Sequence, residues 1–69
     1  MHEHNIKGAH MIGTIWRDSD GNKFVVTFVD HNMEGSWVHY KGAHLLAEKE
    51  FSCLIDAFKE RFTQVEQSR

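Results

Sequence analysis

Sixty-nine residues, 41% hydrophobic and 26% charged with a formal net charge of −2, make one domain near the lower size limit for a single apolar core. The composition lacks the low-hydrophobicity, high-charge signature of disorder, and no apolar run approaches the roughly 20 residues that cross a bilayer. Charge is spread evenly, with four basic against five acidic residues in 1–42 and the same again in 43–69, so neither half is a basic arm of the kind that neutralises phosphates.

The opening stretch, "MHEHNIKGAH", has no periodicity and a single large aliphatic residue, Ile6. It reads as a flexible tail over residues 1–10, with the His10-Met11 junction as a possible seam left by cloning. It shows neither a basic n-region nor a long apolar run, and the one cysteine, Cys53, has no internal partner, so the expected setting is reduced and cytoplasmic.

From Met11 the pattern becomes extended. "MIGTIWR" and "KFVVTFV" are rich in β-branched and aromatic residues, and "DSDGN" between them carries the Asp and Gly of a reversing turn, which predicts a hairpin. A second turn, "DHNMEG", leads into a third strand, "SWVHYK", that stops at Gly42. In "FVVTFV" strict alternation places Phe24, Val26 and Phe28 on one face and Val25, Thr27 and Val29 on the other, so the central strand is apolar on both sides. One helix covers one face; barrel curvature, the 43–51 stretch or a partner has to cover the other.

The last third changes period. Phe51, Leu54, Ile55, Phe58, Phe62 and Val65 fall at spacings of three and four, predicting an amphipathic helix over about 50–66 with Ser52 as a plausible N-cap. On that reading 43–51 is a connection or a fourth strand, unless the helix starts near His44. The expected fold is therefore α+β: a three-stranded antiparallel meander, with a four-stranded SH3-like arrangement as the variant, closed by one C-terminal helix. The domain spans 11–66, and 67–69 form a short tail.

The chemistry-bearing residues give no catalytic pattern. Six histidines, His2, His4, His10, His31, His39 and His44, show no helical i, i+4 spacing and no Cys-x-x-Cys accompanies them, so neither a metal nor another cofactor is expected. Cys53, placed in the first turn of the expected helix and off its apolar stripe, would have its pKa modestly lowered by the helix dipole. No nucleophile motif, phosphate-binding Gly loop or carboxylate pair is present, and a chain this short has little room for a pocket of roughly 300 Å³. A non-enzyme is expected.

Binding is the remaining class. Trp16, Val25, Val29, Trp37 and Tyr40 are the candidates for a surface that grips a protein partner, either a host factor or a second copy in a homodimer, because aromatics with a polar edge make good interface anchors. Arg17, Lys23 and Lys41 are the candidates for nucleic-acid contact, a reading the net charge disfavours. Asp18, Asp20, Asp30 and Glu34 sit in the two turns and would form an acidic patch only if both turns lay at one end of the sheet. The tetrapeptide "KGAH" occurs at 7–10 and 41–44 with unlike flanks, so it reads as coincidence, the second copy being the turn that sends the chain back across the sheet.

The segments "WRDSDGNKFV" (16–25), "WVHY" (37–40) and "FKERFTQV" (58–65) together resemble a pattern in short uncharacterised proteins of enterobacterial phages and prophages: an aromatic, an Asp, a Gly turn, alternating valines and a closing helix with Phe at four-residue spacing. The resemblance implies a small accessory protein of a mobile element that acts by binding. Those proteins have no established activity, so the resemblance assigns no site residue.

Overall fold

The hairpin that "DSDGN" predicts is built around one carboxylate. Asp18 Oδ1 accepts the backbone N–H groups of Asp20 at 3.0 Å and Asn22 at 2.9 Å, and Gly21 turns the chain at φ 90°, a conformation that a side chain would resist. On either side lie β1 (Ile15–Arg17) and β2 (Lys23–Asn32), antiparallel, with Trp16 opposite Phe24. The second turn is tighter than the sequence suggests. β2 continues through Asp30-His31-Asn32, and only Met33 and Glu34 separate it from β3 (Gly35–Gly42).

The computed structural model describes residues 9–65 and shows a five-stranded antiparallel sheet in the order β4-β3-β2-β1-β5, with one short helix. Most of the expected 1–10 tail, and all of 67–69, lie outside the described residues; Ala9–Met11 form a 3-10 turn. The three-stranded meander and the helix after it are present, with two further strands that the helical periodicity concealed.

The expected helix over 50–66 is corrected to three elements. Residues Glu50–Leu54 form β4 against β3, Ile55–Arg61 form the helix α1, and Thr63–Gln64 form β5 against β1. The physical reason is that "EFSCL" also alternates: Phe51 and Cys53 turn toward the core while Glu50, Ser52 and Leu54 turn away. Phe51 and Leu54, three apart, share a helical stripe but stand on opposite faces of a strand. Ser52 is not the N-cap; Leu54 holds that position with no side-chain cap.

A second correction concerns the doubly apolar strand. Pairing shifts between Val26 and Phe28, so Thr27 is the extra residue of a β-bulge. Before it Phe24 and Val26 face the core; after it Val29 does, opposite Val38. The bulge thus moves Val29 inward and turns Phe28 outward, the reverse of strict alternation. The Thr27 hydroxyl marks the spot, donating to the Glu50 carboxylate at 2.5 Å and lying 3.2 Å from the His39 carbonyl oxygen.

The core gathers Met11, Trp16, Val26, Val29, Val38, Tyr40, Phe58 and Phe62 on one face of the sheet. Phe58 has no exposed surface and packs against Trp16, Tyr40 and Phe62 at ring-centroid distances of 4.9, 5.1 and 4.6 Å. A seven-residue helix has little stability alone, so α1 is held by this aromatic packing and by the Phe62 N–H, which closes it on the Phe58 carbonyl at 2.9 Å.

Candidate binding face

The side of the sheet turned away from Phe58 is uncovered by any described element. In register it carries Ile15 and Arg17 from β1, Lys23, Val25, Phe28 and Asp30 from β2, Trp37, His39 and Lys41 from β3, and Glu50, Ser52 and Leu54 from β4. Its apolar members are not tucked away: Phe28 is 53% and Leu54 38% exposed, with Val25 and Trp37 half-buried.

Of the five residues expected to grip a partner, only Val25 and Trp37 are on this face. Trp16, Val29 and Tyr40 are each 7% exposed and belong to the core. For Trp16 and Tyr40 the cause is register: they point the same way as Val26 and Val38 and close around Phe58. For Val29 it is the bulge. Sequence reasoning missed Phe28 and Leu54, and the only advance signal was weak, a threonine inside a strand where a bulge would reverse the side-chain phase.

The two tryptophans differ in their polar edges. Trp16 Nε1 donates to Thr14 Oγ1 at 2.8 Å, and that hydroxyl donates on to the Met11 carbonyl. Trp37 Nε1 is buried with no partner among the described residues, and an unmet buried donor costs free energy.

The cations of the face gather at one end, with Glu50 opposite Lys41 among them. Arg17 lies directly opposite Lys23, and Lys41 opposite Val25, so the three cations named from sequence converge near the β1–β2 turn. The carboxylates do not form one patch. Asp18 and Asp20 are at that turn while Asp30 and Glu34 are at the far end of β2. Burial pushes the Asp18 carboxyl up, but the Asn22, Asp20 and Gly21 hydrogen bonds outweigh it and hold it below its ordinary value.

Beside the cations the face dips into a hollow of about 410 Å³ lined by Ile15, Val25 and the run from Lys41 to Leu45. The second "KGAH" forms one wall, packed closely at its glycine: a Cβ on Gly42 would come within 2.9 Å of the His44 ring, which would have to swing aside, and 3.2 Å of Ala47 Cβ. The hollow is an open surface depression and not an enclosed pocket. A smaller one of about 110 Å³, lined by Phe24, Tyr40, Phe51 and Phe62, opens at the rim of the core.

Cys53 is on β4, facing the core, and not at a helix start. Burial raises its thiol pKa, with Arg61 and Tyr40 opposing, so the shift runs upward where the sequence suggested a lowering by a helix dipole. Tyr40 is likewise raised, first by burial and then by Cys53. Among the described residues no three His, Cys, Asp or Glu side chains cluster as metal ligands, and no helix is long and apolar enough to cross a membrane. Comparison with known family models, curated proteins and solved structures gives no match.

Proposed function

We propose that this chain is a small non-enzymatic binding module, an accessory protein of a phage or other mobile element, that grips a protein partner through the uncovered face of its sheet. One observation carries the reading: Val25, Phe28, Trp37 and Leu54 share that face while the aromatic core lies on the other. Apolar surface left on a sheet face favours association. The mobile-element context rests on the sequence resemblance alone. The return of β5 beside β1 supports an SH3-like description of the sheet, and the raised thiol pKa of the half-buried Cys53 supports a non-enzyme.

A photo-crosslinking residue in place of Phe28, with one in place of Ser19 in the turn as control, tests the reading in cells. A protein adduct from position 28 and none from 19 is expected; equal labelling, or none, overturns it. A second reading, nucleic-acid binding, is favoured by the convergence of Arg17, Lys23 and Lys41 on one face. It requires an affinity that falls steeply with added salt, and a low-salt gel shift without retardation removes it.

A further inference from the structure

We infer that the 410 Å³ hollow is a socket for the β2–β3 hairpin tip of a second copy of this chain, so that copies join head to tail. The inference rests on the proposed use of this sheet face for protein contact and names the occupant of one end of it. The socket has an apolar floor, Ile15 and Val25, and among its lining residues Lys41 and His44 are polar or charged while none is a carboxylate. Lys23 and Arg17 extend the positive edge along the same face. Glu50 lies directly opposite Lys41 and also accepts the Thr27 hydroxyl, and Asp18 is held by its own turn, while Arg17 and Lys23 face each other with no carboxylate opposite either in the sheet register. The complement is therefore an apolar side chain next to a carboxylate.

The hairpin tip has that chemistry. Met33 is fully exposed and adjoins Glu34, with Asp30 three residues back and no Lys or Arg between Asp30 and Trp37. The tip is also preorganised, because the Glu34 N–H donates to Asn32 Oδ1 at 2.8 Å and the strands stay paired up to Asn32 opposite Gly35. A rigid tip loses less entropy on docking, and the unbranched, polarisable Met side chain adapts to an irregular apolar floor. Tip and socket lie at opposite ends of β2, separated by roughly 25 Å of strand, so one molecule cannot fill its own socket. A contact between unlike patches propagates into rings or filaments instead of stopping at a symmetric dimer.

The test is sedimentation velocity on the full chain and two double variants, each first checked for wild-type urea unfolding. Wild type should show species larger than a dimer whose weight rises with concentration. Met33→Ser with Glu34→Gln removes the tip and keeps the socket; Lys23→Gln with Lys41→Gln does the converse. Each alone should associate at least tenfold more weakly, whereas an equimolar mixture should give 1:1 dimers that grow no further. Should a socket variant unfold early, Glu34→Lys in the otherwise wild-type chain supplies the same readout from an exposed turn. A wild type that stays monomeric or stops at a dimer, or association that neither variant weakens, overturns the inference. Crosslinking from position 28 to another protein, with a monomeric wild type, would sink the head-to-tail contact and leave the binding reading standing.

Discussion

Trp16 and Trp37 sit on opposite faces of one sheet, and the contrast between them separates what holds this protein together from what it offers to others. Trp16 is buried against Phe58 with its indole N–H passed to Thr14 and on to Met11. Trp37, opposite Asp30 and Leu54, is half-buried on the uncovered face with its N–H unmet among the described residues. The same side chain is a finished structural element in one place and an unfinished one in the other. Most of the aromatic rings go to the core, so Phe28 and Trp37 on the far face are set apart from Trp16, Tyr40, Phe58 and Phe62.

The largest expected effect comes from Phe58. Truncation of a fully buried aromatic costs about 3–5 kcal/mol, comparable with the whole stability of a domain this size, so Phe58→Ala should be largely unfolded in a urea titration monitored by circular dichroism. Phe28→Ala removes the same side chain from the other face and should shift stability by about 0.5 kcal/mol or less. Comparable losses from the two truncations would erase the distinction between the faces.

The bulge is the next place to press. Thr27→Val removes a hydroxyl bonded to Glu50 at the point where the strand changes phase, and a loss of about 1 kcal/mol is expected. Deleting Thr27 restores strict alternation and drives Val29 out of the core; stability equal to the wild type's would show that the phase change is not built in.

Two titrations give smaller effects. Because the pKa values of Cys53 and Tyr40 are raised in the folded chain, their contribution to stability is complete below their unfolded values and declines as pH rises through the folded ones. Stability should therefore fall on going above about pH 8.5, and Cys53→Ala should remove the thiol's share of that fall. Asp18 works in the opposite sense. Its folded pKa is lowered, so what it adds is present above the ordinary carboxylate range and disappears as pH drops through the depressed value; Asp18→Asn should flatten the acid limb of a stability-against-pH curve.

Much of this architecture was legible in the sequence where local rules agree. "DSDGN" specified its turn, and the β-branched runs specified β1 to β3, because turn chemistry and alternation point to one answer there. The stretch 50–66 misled because Phe51, Leu54, Ile55, Phe58 and Phe62 satisfy a helical period, while pairing with β3 decides in favour of a strand up to Leu54. On the binding face, Val25, Trp37 and the three cations were named from sequence. Phe28 was hidden by the bulge, and Leu54 by the helical reading. Nor did anything local show that Lys41 to His44 wall a hollow, since its floor comes from Ile15 and Val25 on strands far away in sequence.

The most direct test of the two-face account is fluorine NMR on chain labelled at both tryptophans with 5-fluorotryptophan, followed as protein concentration is raised and as any protein captured at position 28 is added. The Trp37 resonance should shift or broaden with occupancy while the Trp16 resonance holds its position. Movement of Trp16 with Trp37 unchanged, or two resonances indifferent to every addition, would contradict the assignment of the uncovered face as the working surface.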